Sequence, residues 1–119
     1  MRHQKKGKTL DRKKASREAL LRNLATSVVL YEKVRTTRAK ARAVQPIVER
    51  SLSLAKKGDL HARRQLLQYF YDKKAVQKLM EYLPSRLSKR SSGYTRVVSL
   101  GIRRGDAAEM VQLEILNEG

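Results

Sequence analysis

Positively charged side chains are the residues of this chain that could do chemistry, and the chemistry that suits them is the binding of phosphate. The 119-residue sequence holds 28 Lys and Arg against 11 Asp and Glu, a net charge of +17. Residues 1–17 contain eight basic residues and one acidic residue, whereas residues 106–119 contain four acidic residues and no basic one. Because such a gradient destabilises a compact state by self-repulsion, we expect a polyanion partner. A nucleic acid offsets the repulsion by releasing its condensed counterions.

Residues that could catalyse a reaction or hold a cofactor are scarce. His3 and His61 are the only histidines, and the chain has no cysteine. Neither a zinc-binding HExxH spacing nor a glycine loop that cradles nucleotide phosphates occurs, and the acidic residues are scattered singly. We therefore expect a protein that is not an enzyme, with no cofactor, no metal site and no small-molecule substrate. A small RNA-modifying enzyme would require a cofactor pocket, and the sequence contains no motif that indicates one.

The apolar residues are too dispersed for a membrane partner. The opening MRHQKKGK lacks the apolar run of a secretory signal, and no window approaches the roughly 18 apolar residues of a membrane span. A lipid-binding arm would also need a face of bulky apolar residues beside its charges, and residues 1–14 supply only Met1 and Leu10. The expectation is a cytoplasmic protein without a membrane partner.

The candidate nucleic-acid-binding residues form four groups along the chain. A basic arm, residues 1–14, is expected to be disordered until it meets its partner, and the first helix adds a second group. The start of the second helix, where unpaired backbone amides add to the charge, carries the third. The fourth occupies a loop and a hairpin, where hydroxyls suit irregular RNA and the ring of Tyr94 suits either base stacking or the core. In order, the groups are Arg2, His3, Lys5, Lys6, Lys8, Arg12, Lys13 and Lys14; Arg17, Arg22 and Asn23; Arg35, Thr37, Arg38, Lys40 and Arg42; and Arg86, Lys89, Arg90, Tyr94, Thr95, Arg96, Arg103 and Arg104.

Four helices are expected to position these groups. Apolar residues at three-and-four spacing predict a helix from residue 15 to about Tyr31, with Ser16 as its cap. Thr36 or Thr37 would cap a second helix that ends at about Lys57, before Gly58 in the left-handed conformation. Inside that helix, Pro46 predicts a kink or a late start.

Two shorter helices are expected to follow. Asp59 and Asp72 would cap them, and Pro84 would end the last one. The segment 69–71, Tyr-Phe-Tyr, closes the third helix and is predicted to be a corner of the core rather than a base-stacking site.

The last quarter of the chain changes to a period of two. Strands are predicted at Tyr94–Gly101 and at residues 111–116, joined by a tight turn at residues 103–106, after an earlier short strand at Lys33–Thr37. The predicted fold is α+β, with about four helices packed on a small, mostly antiparallel three-stranded sheet. Residues 15–119 would form one globular domain behind the arm.

Two classes of nucleic-acid partner remain open at this point. A structural RNA-binding protein would use the whole basic surface to neutralise phosphates. A small DNA-binding regulator would use the helix pair 59–83 as a helix-turn-helix. Apolar and tyrosine residues occupy the positions where a recognition helix would present base-reading side chains, and no dimerisation element is evident.

Five motifs in order resemble the family of bacterial large-subunit ribosomal protein seventeen, over nearly the whole chain. They are Met1-Arg2-His3 with Lys5, Gly7, Leu10 and Arg12; Arg22-Asn23-Leu24; Thr36-Thr37 with Lys40-Ala41, Pro46 and Leu54-Ala55-Lys56; Gly93-Tyr94-Thr95-Arg96; and Arg103-Arg104-Gly105-Asp106. Tyr31 departs from the histidine associated with that position in the family.

The resemblance implies a structural component of the large subunit that binds large-subunit rRNA near the exit of the polypeptide tunnel. It also implies neighbouring large-subunit ribosomal proteins as partners, and the acidic C-terminal strand is the surface expected to meet one.

Overall fold

The computed structural model describes residues 13–117, and within them it confirms the predicted α+β architecture. Three helices are regular: α1 (Lys14–Tyr31), α2 (Arg38–Lys57) and α3 (Leu60–Tyr69). The fourth, α4, has three segments, which are α-helical at Lys73–Gln77, π-helical at Lys78–Tyr82 and α-helical at Leu83–Arg86. The strands are β1 (Lys33–Thr37), β2 (Thr95–Ile102) and β3 (Glu109–Ile115).

The sheet has the strand order β1-β3-β2, and both pairings are antiparallel. The predicted hairpin of β2 and β3 is therefore present, but the C-terminal strand lies in the centre of the sheet. Its backbone pairs with a strand on each side, so only the side chains on its faces can meet another molecule. The exposed edges of the sheet are β1 and β2.

Local capping chemistry explains most of the helix boundaries. Thr37 accepts a hydrogen bond from the backbone nitrogen of Lys40, and Gly58 ends α2 in the left-handed region with φ 67°. Asp59 and Asp72 cap α3 and α4 through their carboxylates, as predicted. The prediction of Ser16 as the cap of α1 is wrong, because the helix begins at Lys14 without a side-chain cap.

Pro84 does not end the fourth helix, contrary to the prediction. It stands at the start of the Leu83–Arg86 segment, directly after the π-helical turn. At the start of a helical segment the missing N–H of proline is not needed, so the wider turn lets the chain continue past it. Pro46 likewise lies inside α2, which remains continuous.

One core lies between the helices and the inner face of the sheet. Val111, Leu113 and Ile115 of β3 point into it, as their alternation predicted, and pack with residues of α1, α2 and α4. Phe70, after α3, is also fully buried. The opposite face of the sheet carries Lys33 and Arg35 of β1, Arg96 and Val98 of β2, and Gln112 and Glu114 of β3, and is the first part of the candidate site.

Candidate nucleic-acid interface

The outer face of the sheet brings cations from two edge strands to either side of a carboxylate. Register pairs Lys33 of β1 with Glu114 of β3, and pairs Glu114 with Arg96 of β2. The Arg96 guanidinium holds the Glu114 carboxylate at 2.7 Å. Arg35 lies two residues along β1 on the same exposed face, since the intervening Val34 packs against the core. Strands about 4.8 Å apart therefore place three cations within reach of one RNA backbone.

A polar pocket opens at the end of this face where α1 finishes and α4 passes beside it. Glu32 is its organising residue, with its carboxylate 2.7 Å from Arg86 Nη2 and 2.7 Å from Lys78 Nζ. The hydrogen bond from Arg86 outweighs partial burial, and with the bond from Lys78 it lowers the pKa of Glu32 to about 2. The same pairing raises the pKa of Arg86. The pocket is lined by Glu32, Lys33, Arg86, Arg90, Arg96, Glu114, Ile115, Leu116 and Asn117.

The loop before β2 supplies both exposed and buried groups. Lys89 is exposed, and Arg90 donates through Nη1 to the carbonyl of Gly93. Tyr94 is only 2% exposed, and its hydroxyl donates to the carbonyl of Ser91 at 2.8 Å. A ring in that position belongs to the core and cannot stack on a base, so we leave Tyr94 out of the interface.

Glu49 of α2 fastens the start of β2 to the helical layer. Its carboxylate accepts hydrogen bonds from the backbone N–H groups of Tyr94 at 3.0 Å and Thr95 at 2.8 Å, and also from the Thr95 hydroxyl. The hydroxyl of Thr95 is thereby used inside the protein. These contacts fix the start of β2 one residue before Arg96.

The start of α2 and the turn end of the hairpin form a second cationic cluster. Arg38 pairs with Glu109 of β3 at 2.6 Å, and both line a shallow depression with Arg42. Within residues 13–117, the side chains of Lys40 and Arg42 make no hydrogen bond or ion pair. These two cations are thus available to a phosphate, while Arg38 is held by the hairpin.

The two arginines of the hairpin turn have different surroundings. Arg103 pairs with Asp106 at 2.5 Å, and this hydrogen bond lowers the pKa of Asp106 to about 2. Arg104 is exposed, and no ion pair holds it in the described part of the chain. The turn therefore presents Arg104 outward and uses Arg103 to keep its shape.

The candidate residues of α1 lie on the helical layer, apart from the sheet face. Arg17 is half-buried and Asn23 is exposed. Arg22 packs between two rings, with its guanidinium carbon 5.0 Å from the centroid of Tyr69 and 4.7 Å from that of Tyr71. Arg22 is a cation that organises aromatic side chains, which sequence reasoning did not foresee.

Part of the predicted site lies outside the described residues. Of the arm, only Lys13 and Lys14 fall within them; the residues beyond are Arg2, His3, Lys5, Lys6, Lys8 and Arg12. Sequence reasoning missed Lys33, although the alternation of apolar and basic residues along β1 could have placed it beside Arg35 on the outer face. Over residues 13–117, no group of three His, Cys, Asp or Glu side chains could hold a metal ion, and no helix is long and apolar enough to cross a membrane.

The comparisons of this chain with known proteins agree on one family. Residues 20–116 match the family model described as Ribosomal protein L17. A protein of Symbiobacterium thermophilum named large ribosomal subunit protein bL17 is 49% identical over 90% of this chain and 95% of its own length. The proteins with the same name from Syntrophotalea carbinolica and Rubrobacter xylanophilus are 44% and 43% identical, over 99% and 98% of this chain and 76% and 97% of their own lengths.

Proposed function

The chain belongs to the ribosomal protein L17 family, and from that premise we propose that it is a structural component of the large ribosomal subunit that binds large-subunit rRNA. The relatives' names supply the subunit. The charge and its arrangement on the sheet supply the binding mode, which is neutralisation of phosphates by a folded basic surface and a basic arm.

The observation that carries the proposal is the exposed outer face of the sheet with its three cations. Lys33, Arg35 and Arg96 project from strands that also build the core, so their backbone positions are fixed before any partner arrives, and Glu114 also holds the side chain of Arg96. Cations anchored on a fixed backbone cost less conformational entropy on binding than cations on a flexible segment. The face therefore suits RNA of one backbone shape, and shape rather than base sequence is what it reads.

Internal pairing divides the candidate cations into two classes. Four arginines are held by carboxylates within the described residues: Arg38, Arg86, Arg96 and Arg103. Others are exposed or half-buried without such a partner there, and these include Lys33, Arg35, Lys40, Arg42, Lys89 and Arg104. We assign the second class and the arm to most of the phosphate neutralisation, and the first class to orientation of the surface. A paired guanidinium keeps donors that a phosphate can still accept.

A protein neighbour suits the end of β2 near the hairpin turn, beyond the three cations. On the outer face the centre strand offers Met110, Gln112 and Glu114, whereas the edge strand β2 exposes Val98 on that face and Leu100 and Ile102 toward the turn. Apolar side chains on an unpaired strand edge suit a protein better than a phosphate. We therefore place a neighbouring large-subunit protein at β2 rather than at the C-terminal strand. Following the family resemblance, we place the whole chain near the exit of the polypeptide tunnel.

No observation favours the DNA-binding regulator. In the helix pair 59–83, the exposed positions of α3 include Leu60 and Leu67. Arg63 points toward Glu81 of α4, 3.9 Å away, on exposed side chains. A recognition helix needs polar side chains directed at base edges, whereas the exposed surface of α3 mixes polar residues with Leu60 and Leu67.

Fractionation of a cell extract on a sucrose gradient tests the proposed function. We expect the tagged chain to co-migrate with the large subunit and to remain there after a high-salt wash. Migration at the top of the gradient in both conditions would contradict the proposal. In a parallel binding assay, duplex DNA should fail to displace structured rRNA at equal nucleotide concentration.

A further inference from the structure

Tyr71 is an aromatic residue with most of its ring in solvent, although a corner of the core was predicted at residues 69–71. Phe70 is fully buried, Tyr69 is half-buried and Tyr71 is 77% exposed. The reason lies in the backbone, because α3 ends at Tyr69 and Phe70 is extended, with φ −92° and ψ 111°. In an extended segment successive side chains point in opposite directions, so burying Phe70 turns Tyr71 outward.

The exposed ring of Tyr71 is held in place by Arg22 of α1. The guanidinium carbon lies 4.7 Å from the ring centroid, and Nη1 donates to the Tyr71 hydroxyl at 2.7 Å. Arg22 is itself supported by the Tyr69 ring at 5.0 Å. Tyr69 in turn packs edge-on against Phe70, with the centroids 5.1 Å apart and the planes at 81°. The contacts connect the exposed ring to the core through three side chains.

A ring that is both exposed and ordered has few internal uses. Cation–π pairs at exposed sites contribute only about 0.5–1 kcal/mol, and burying the ring would stabilise the fold more. What the arrangement does provide is a flat aromatic surface whose rotamer is fixed before binding. Ordering that precedes binding removes part of the entropic cost of association.

The charges around Tyr71 are mixed, with a basic excess on the side of the following helix. Lys73 and Lys74 are exposed at the start of α4. Asp72 lies between them and Tyr71 in the sequence, and its carboxylate accepts a hydrogen bond from the backbone N–H of Lys74. On α1, Glu18 lies one turn before Arg22. Cations beside an aromatic surface are the combination that proteins use for unpaired nucleotides, because every base has a π-face and every nucleotide a phosphate.

We propose that the open face of Tyr71, braced by Arg22, stacks on an unpaired base of the bound RNA. The inference rests on the proposed RNA-binding function and adds a base contact to a surface that otherwise contacts phosphates. Base–aromatic stacking is worth roughly 1–3 kcal/mol by alanine substitution, which corresponds to a loss of about 5- to 150-fold in affinity.

The experiment compares Tyr71→Ala, Tyr71→Phe and Tyr82→Ala in binding to protein-free large-subunit rRNA. Tyr82 is a matched control, because it is 58% exposed and no guanidinium stacks on it within the described residues. We expect Tyr71→Ala to weaken binding about 5- to 150-fold with an unchanged salt dependence, since no phosphate contact is lost. Tyr71→Phe and Tyr82→Ala should stay within about threefold of the wild type.

Arg22→Lys separates bracing from direct phosphate contact. Lysine keeps the charge but cannot form the planar stack, so a bracing role predicts weaker binding with the same salt slope. Ultraviolet crosslinking of the wild-type complex should join a nucleotide to the peptide that contains Tyr71. A melting curve for each variant confirms that it is folded.

Several outcomes would overturn the inference, and they separate the stacking role from the proposed function. If Tyr71→Ala binds as tightly as the wild type while the wild type keeps a steep salt dependence, the stacking role is wrong and the proposed function stands. The stacking role is also wrong if Tyr71→Ala lowers only the melting temperature, or if the residue crosslinks to a neighbouring protein in the assembled subunit. If the wild type itself ignores rRNA, both the stacking and the proposed function are wrong.

Discussion

Glu32→Gln is the substitution that probes the polar pocket most selectively. Glu32 follows α1 in the left-handed conformation, with φ 67°. Its backbone carbonyl accepts a hydrogen bond from the backbone N–H of Ile115 at 2.9 Å. Its carboxylate binds Arg86 of α4 and also Lys78, so one residue connects α1, α4 and β3. Glutamine keeps the size and the backbone bond and removes the charge.

The magnitude follows from the pKa of Glu32, which falls from 4.5 to about 2 on folding. At about 1.36 kcal/mol per unit the shift corresponds to roughly 3 kcal/mol. Because the side chain is 28% exposed, solvent screening reduces this, and we expect about 1–2 kcal/mol. A lowered folded pKa means that the stabilisation is complete above the unfolded pKa of about 4.5 and is lost as the pH falls toward about 2.

Urea unfolding of the wild type and Glu32→Gln between pH 7 and pH 2.5 measures this contribution. The difference in unfolding free energy should be about 1–2 kcal/mol at pH 7 and should shrink below pH 4.5. Glu81→Gln is the control, since Glu81 lies 3.9 Å from Arg63 on exposed side chains, and it should change stability by under about 0.5 kcal/mol. A Glu32→Gln difference that is absent at pH 7, or constant down to pH 2.5, would refute the reasoning.

Two further predictions concern the attachment of β2 and the arm. Glu49→Ala leaves the backbone nitrogens of Tyr94 and Thr95 without their acceptor, so it should lower the unfolding free energy by about 2–3 kcal/mol in urea; a loss under about 0.5 kcal/mol would contradict this. Deleting residues 1–12 keeps Lys13, whose backbone carbonyl accepts a hydrogen bond from the backbone N–H of Arg17. We expect an unchanged or raised melting temperature and an rRNA affinity lower by at least about tenfold, whereas a collapsed transition would show that the arm stabilises the core.

Features set by neighbouring residues could be predicted from the sequence. Thr37, Gly58, Asp59 and Asp72 bound their helices through contacts within four residues of the chain, and the alternation in β3 gave its buried face. Ser16 failed as a cap because α1 extends further toward the N-terminus than its apolar pattern. Pro84 failed because a π-helical turn, which has no simple sequence signal, carries the chain past it.

Contacts between distant residues could not be predicted. The pairing of Glu32 with Arg86, and the position of β3 between β1 and β2, depend on how the elements pack. A charge pattern identifies arginines but does not say which carboxylate each one meets. The sequence accordingly predicted a basic surface, and the fold divides that surface into paired cations that hold shape and unpaired ones that remain for phosphate.

The most direct test of phosphate neutralisation is the affinity of the intact chain for large-subunit rRNA as a function of salt. If about eight phosphates are neutralised, the logarithm of affinity should fall against the logarithm of salt concentration with a slope of roughly −6 to −7. A slope near about −2, or no binding at modest ionic strength, would contradict the account.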